Sequence, residues 1–194
     1  VEPLYSMIPK GMWSHIDAFK DEYGERNLTL AKQLLTEAGY SEENPFEFEL
    51  WYTPTHYGDL EADLAAILKE ELEETGMMKV TLKSAEWATY AAEYIIEGVM
   101  PIFLLGWYPD YIDPDDYTTV FLHSEYSPEM GVFYNNSEMD ELLEAAQVET
   151  NITKRTELYI EVQRLMAEEA PVIPLFQGKL SIATSMDVKG VVLD

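Results

Sequence analysis

The 194-residue sequence has no cysteine, which excludes a disulfide-stapled scaffold, a thiolate metal site and a cysteine nucleophile. It is also poor in base: 12 Lys and Arg stand against 37 Asp and Glu, for a formal net charge of −25. A field of that sign repels phosphate, so neither nucleic acid nor an anionic membrane surface is an expected partner. No apolar run approaches the ~20 residues of a membrane span, so direct membrane insertion is not expected. No basic start leads into an apolar stretch as in a signal peptide. No Walker loop, GxGxxG, GxSxG elbow or HExxH occurs. The three histidines, His15, His56 and His123, fall in no metal-ligand spacing and read first as surface or packing residues.

What is present is ordinary globular material, 47% hydrophobic and 25% charged. A chain of this size can bury roughly 70% of the surface it exposes when unfolded. It is expected to form one domain, or one lobe of something larger, over residues 1–194.

Periodicity gives the order of elements. Residues 1–26 read as irregular, punctuated by Pro3, Pro9, Gly11 and Gly24. Asn27 is the expected N-cap of a helix that runs to about Ala38 and stops at Gly39. Phe46–Tyr52 alternates apolar and polar like a half-buried strand. A helix over 59–75 carries Leu60, Leu64, Ile67, Leu68 and Leu72 as its apolar stripe and ends at Gly76. Val80–Lys83 reads as a strand, and Trp87, Tyr90, Ala91, Tyr94 and Ile95 keep helical spacing before Gly98. Ile102–Leu105 reads as a strand covered on both faces. Helices alternating with strands predict an α/β fold with a largely parallel sheet. Residues 106–134 then read as a long functional loop. Two helices follow, with Met139, Leu142, Leu143 and Ala146 on one stripe and Leu158, Val162, Leu165 and Met166 on the other. Val172–Asp194 reads as two or three short strands.

The acids of 59–76 and 138–149 read as outer helix faces. Those of Gly106-Trp-Tyr-Pro-Asp-Tyr-Ile-Asp-Pro114, with Asp115 and Asp116, differ because they sit among aromatics. The segment follows a strand, and ligands in open α/β sheets bind beyond the carboxyl ends of strands. Trp107, Tyr108 and Tyr111 offer flat amphipathic surface, and an acid among them favours a cationic ligand group. The competing reading is a Pro-Asp turn with aromatics filling a domain edge. A calcium loop is disfavoured, because the Asp-x-Asp-x-Asp-Gly order is absent and Pro114 stiffens the segment. Carboxylate pairs suited to glycoside hydrolysis stay open as a rival: Asp110 with Asp113 or Asp116.

Four motifs in order resemble the C-terminal lobe of the family 5 extracellular solute-binding proteins, the peptide- and nickel-type receptors of ABC importers. Ala31-Lys-Gln-Leu-Leu-Thr-Glu-Ala-Gly39 is similar to the family's Ala-Lys-x-Leu-Leu-x-Glu-Ala-Gly helix. Gly106-Trp107, Asp110-Tyr111 and Asp113-Pro114 resemble its Gly-Trp-x-x-Asp-Tyr-x-Asp-Pro signature. Tyr134 through Leu143 resembles its Tyr-x-Asn-x-x-x-Asp-x-Leu-Leu element, and Lys154-Arg155 through Pro174-Leu175 its last helix and strand.

The resemblance implies a type II periplasmic-binding-protein-like lobe, excised from a two-lobed receptor whose N-terminal lobe is missing here. It implies binding and closure rather than catalysis, with no cofactor or metal. The expected ligand is a small peptide or similar amine-bearing solute, delivered to ABC permease subunits. The setting is extracellular or periplasmic, membrane-anchored in the full-length protein. In peptide-binding members the acid of Gly-Trp-x-x-Asp pairs with the ligand's α-amino group, a role that falls here on Asp110, with Trp107 and Tyr108 lining the same wall. Pro109 departs from the pattern, where a small residue such as alanine is usual. Nickel-type members add His56, in the loop after a strand, as a pocket candidate beside its plainer reading as a turn histidine. The alternative function is a carbohydrate-active enzyme or sugar-binding module using residues 106–117.

Overall fold

The computed structural model of the protein describes residues 2–58, 60–179 and 183–191. A short strand β1 (Glu2–Pro3) and helix α1 (Ala18–Tyr23) break up the N-terminal stretch expected to be irregular. Helix α2 (Leu28–Glu37) starts where expected: the Asn27 side chain accepts from the Leu30 N–H at 3.0 Å, satisfying one orphan donor of the first turn. Then come β2 (Phe46–Tyr52), α3 (Glu61–Glu73) and β3 (Met78–Ser84). A short α4 (Trp87–Thr89) runs on into a π-helical stretch, Tyr90–Ile95, ahead of β4 (Ile102–Phe103).

The sheet is parallel, in the order β3-β2-β4. Phe46 pairs with Met78 and Tyr52 with Ser84, while Leu50 pairs with Ile102. One face packs on α3 through Leu50, Val80, Leu104 and Ala65. On Trp51, Phe103 and Leu105 packs a second cluster built on Tyr90, Ile95 and Met100. The single Tyr90 hydroxyl proton is shared between Leu104 O at 2.7 Å and Trp51 O at 3.1 Å, so it ties the π-helical segment to β2 and to the chain leaving β4.

Three expectations are corrected. Only two residues of 102–105 pair as a strand, and Ile102 is exposed rather than covered. The 106–134 stretch is not all loop. It contains α5 (Pro114–Leu122), capped by Asp113 with proline in its first turn, and a 3₁₀ turn, Ser127–Met130. On α3 the inward face is Glu61, Leu64, Ala65, Leu68 and Leu72, whereas Leu60 and Ile67 are exposed.

Helices α6 (Ser137–Val148) and α7 (Ile152–Glu169) match the expected pair. They pack with α5 and Ile8 into the largest core cluster, around Leu122, Met139, Leu143, Tyr159 and Met166. Toward the C-terminus, a single strand is present among the described residues, β5 (Phe176–Gln177), antiparallel to β1. The other strands expected over 172–194 fall partly on residues 180–182 and 192–194, outside the described residues.

Candidate functional site at the carboxyl edge of the sheet

Because β2, β3 and β4 are parallel, the segments that follow them emerge at one edge of the sheet. These are 53–58, 85–90 and 104–113, and they carry all five sequence-predicted site residues. Two of the segments touch directly. The Tyr57 hydroxyl donates to Gly106 O at 2.9 Å, and a Cβ at residue 106 would lie 2.8 Å from Tyr57 Cε1. Glycine at 106 is thus fixed by close approach, not by backbone angle. Burial pushes the Tyr57 phenol up to about 12, so it stays protonated and donating.

His56 lies exposed beside it, its ring stacked on Trp87 with centroids 3.6 Å apart and planes 3° apart. Tyr57 meets the same imidazole edge-on at 4.6 Å. Trp87 in turn stacks toward the buried Tyr90, at 6.2 Å. The column Tyr90–Trp87–His56 therefore rises from the core to the surface.

The second part of the site is the turn before α5, where four acids lie within seven residues. Asp116, 4% exposed, accepts at Oδ2 from the Trp107 indole N–H at 3.0 Å and from the Asp110 backbone N–H at 3.1 Å. Asp113 caps α5 through the Asp115 N–H at 3.0 Å. It also takes the Arg155 guanidinium at both oxygens, at 2.7 and 2.8 Å. Burial raises Asp115, but hydrogen bonds from Thr119, Tyr111 and Gln147 outweigh it and hold the carboxyl below its ordinary value. Asp110 is left. It is exposed, its position is set by its own backbone, and its carboxylate has no hydrogen-bond or ion-pair partner among the described residues.

Trp107 is half-buried and points into the core, edge-on to Phe121 at 5.1 Å. Its indole N–H donates to Asp116, which ties the ring into the turn. Tyr108, 70% exposed, is the free aromatic of the turn. Tyr111 is half exposed, with its hydroxyl donating to Asp115 at 2.6 Å; that bond raises its pKa. The carboxylates that would have to join Asp110 in a hydrolytic pair are engaged: Asp113 with Arg155, and Asp116 with Trp107 and the Asp110 N–H.

Sequence reading missed Tyr57, Trp87 and Glu61, and named Asp116 as a possible hydrolytic carboxylate rather than as the acceptor that holds the turn. Trp87 reads as one of a helical stripe, and only the strand order shows that its helix starts at the site edge. Glu61 is 9% exposed and accepts from the Thr53 N–H at 3.2 Å. No signal in the sequence distinguishes it from the solvated acids that follow it.

Comparison with known proteins gives the family and the fold of the chain. The family model described as bacterial extracellular solute-binding proteins, family 5 Middle, matches residues 1–129. Heme-binding protein A of Haemophilus influenzae is 32% identical over 189 residues, covering 95% of this chain and 33% of that protein. The dipeptide-binding protein of Escherichia coli is 27% identical over 194 residues, covering 97% and 35%. A solved dipeptide-binding protein from Pseudoalteromonas sp. SM9913, in complex with Met-Leu, superimposes with a TM-score of 0.79 at 28% identity, over 90% of this chain and 34% of that one. The chain spans about a third of the length of these relatives. Its parallel sheet flanked by helices is the fold of the periplasmic peptide receptors. The chain belongs to the bacterial extracellular solute-binding proteins of family 5.

Proposed function

We propose that residues 1–194 form one ligand-binding lobe of a two-lobed receptor, extracellular or periplasmic and membrane-anchored in its full length. The receptor captures a small peptide or similar amine-bearing solute and delivers it to the permease of an ABC importer. The observation that carries this reading is the division of labour among the four acids. Three are consumed in building the turn, and Asp110 alone presents an unpaired carboxylate beside the exposed Tyr108. Such a carboxylate pairs with an ammonium group by a charge-assisted hydrogen bond. Family membership, and the dipeptide named for two of the relatives, support the same ligand class. Ligand held between two lobes would favour the closed arrangement by population shift. One lobe offers half of the contacts, so binding to this chain alone is weak.

The test is an amide NMR titration of the chain with Met-Leu, its N-acetylated form and a pool of oligosaccharides. The free peptide shifts resonances of residues 106–111, the N-acetylated form does not, and Asp110→Asn abolishes the difference. Equal response to the acetylated peptide, or response to sugars alone, overturns the reading.

A further inference from the structure

A cavity of about 500 Å³ lies between the loop that follows β1 and the turn leading into α5. Its walls include Lys10, Met12, Trp13, Ile112 and Tyr117. The volume is comparable to the ~300–1,000 Å³ of small-molecule sites, which are mostly apolar with a few placed polar groups. Asp110 does not line it, although Ile112 follows Asp110 by two positions, so the cavity is distinct from the carboxylate assigned above.

The walls are ordered by contacts of their own. The Lys10 N–H donates to Gln177 Oε1 at 2.8 Å, which ties the loop to β5. The Met12 N–H donates to Pro9 O at 3.2 Å and closes the bend. Trp13 meets the buried Tyr159 edge-on at 5.8 Å, and the Arg155 guanidinium lies 5.4 Å from its ring centroid. Trp13 is still 40% exposed and Ile112 72%, so both keep apolar surface open to solvent. A solute that meets walls already in place orders few side chains on binding.

Charge at this cavity runs against that of the whole chain. No Asp or Glu lines it. The acids next to its walls are occupied: Asp113, beside Ile112, by Arg155, and Asp116, beside Tyr117, by Trp107 and the Asp110 N–H. Lys10 is half-buried, its ammonium 5.7 Å from the Tyr5 ring centroid, with no hydrogen-bond or ion-pair partner among the described residues. Glu2 feels the Lys10 charge but pairs with Lys179 at 2.5 Å. Tyr117 adds a second donor. Its hydroxyl has no partner among the described residues, and burial, then the Asp116 charge, raise its pKa and keep it protonated. A ligand carboxylate therefore meets an unused ammonium here, whereas a ligand ammonium meets a like charge.

We propose that this cavity is a second binding site of the lobe, for a small amphipathic carboxylate: its apolar body lies against Met12, Trp13 and Ile112, and its carboxylate pairs with the Lys10 ammonium. The site stands apart from the amine reading and holds whether or not Asp110 takes an ammonium.

Three probes of one shape separate charge from apolar contact: 4-phenylbutyrate, 4-phenylbutan-1-ol and 4-phenylbutylamine. Each is titrated into the 194-residue chain at neutral pH, with the Trp13 indole resonance followed by NMR. At that signal the acid should bind about fivefold tighter than the alcohol, the upper range of a partly exposed ion pair, and the amine more weakly than either. Lys10→Met keeps an apolar stem without the charge, and it should bring the acid down to the affinity of the alcohol. Lys79→Met removes an equal charge from β3, away from the cavity, and should leave the preference intact. Ile112→Ala should weaken acid and alcohol alike. Equal affinity of acid and alcohol, a preference that survives Lys10→Met, or no response of Trp13 to any probe at millimolar concentration overturns the proposal. None of these outcomes bears on Asp110, whose reading is tested by the response of residues 106–111 to Met-Leu.

Discussion

At the scale of single residues, identical side chains in one segment have been given different work by their partners. Asp113 and Asp116 are structural, each satisfying donors that would otherwise be stranded in a half-buried turn. Asp110, a few positions away, is left free. Glu61 shows the same principle through pH. Burial favours its neutral form, the Thr53 N–H opposes this less strongly, and its pKa lies above the ordinary value of 4.5. The folded protein therefore holds this proton more tightly than the unfolded chain does, and this contribution to stability is lost as pH rises through the folded pKa. Glu61→Gln keeps an acceptor for Thr53 and cannot ionise. It should be more stable than the native protein at pH 7, with the gap closing near pH 4. Urea unfolding at the two pH values checks this; a gap independent of pH would place the effect in packing instead.

At the scale of elements, β3 is an outer strand of the sheet among the described residues, and its outward edge is covered by its neighbour in sequence, α3. Glu73 Oε1 accepts from the Val80 N–H at 2.8 Å, Lys69 Nζ donates to Val80 O at 2.5 Å, and the two side chains pair at 3.1 Å. The clasp satisfies both outward backbone groups of Val80, so a foreign strand cannot pair there without displacing it. The Val80 N–H also holds the Glu73 carboxyl below its ordinary pKa. Glu73→Ala should lower stability by about 1 kcal/mol, the worth of one such hydrogen bond. Exchange of the Val80 amide should accelerate relative to Leu50 on the central strand. Unchanged exchange at Val80 would show that the clasp does not hold the edge. The rest of the sheet was legible in sequence: Phe46–Tyr52 alternates and pairs over its whole length. The β4 region was not, because a four-residue apolar run carries no register and Ile102 proves to be exposed.

At the scale of the whole molecule, the N-terminal segment is joined to α7 by a buried amide. Gln163 is fully buried; its oxygen accepts from the Ser6 hydroxyl at 2.7 Å and the Ile16 N–H at 3.1 Å. Its nitrogen donates to Ser14 O and Tyr159 O, both at 2.8 Å. Every hydrogen-bonding capacity of the side chain is used, and residues 6–16 are held beside the helical core that also seats Trp107. Gln163→Leu keeps the volume and leaves these partners unpaired, so it should cost roughly 2–4 kcal/mol in denaturant unfolding. A loss under 1 kcal/mol would mean that water replaces the amide. The helical core also holds the turn that carries Asp110, since Arg155 of α7 pairs with Asp113 at the start of α5.

The sequence by itself determined the elements and their class. Periodicity, the Asn27 cap and the glycine stops are local properties, and local contacts decide whether a helix or strand forms. It also put the candidate residues on the segments after parallel strands, and the ordered motifs pointed to the family. Only the tertiary structure decided which of four acids is free, because their partners come from distant positions: Arg155 is 42 residues from Asp113, and Gln147 is 32 from Asp115. It likewise turned Glu61 inward among a run of solvated acids and set His56 on Trp87 from the end of another strand. Carboxylates are interchangeable in composition and indifferent to periodicity. What separates them is desolvation and the donor each one meets, and both arise only when remote parts of the chain are packed together.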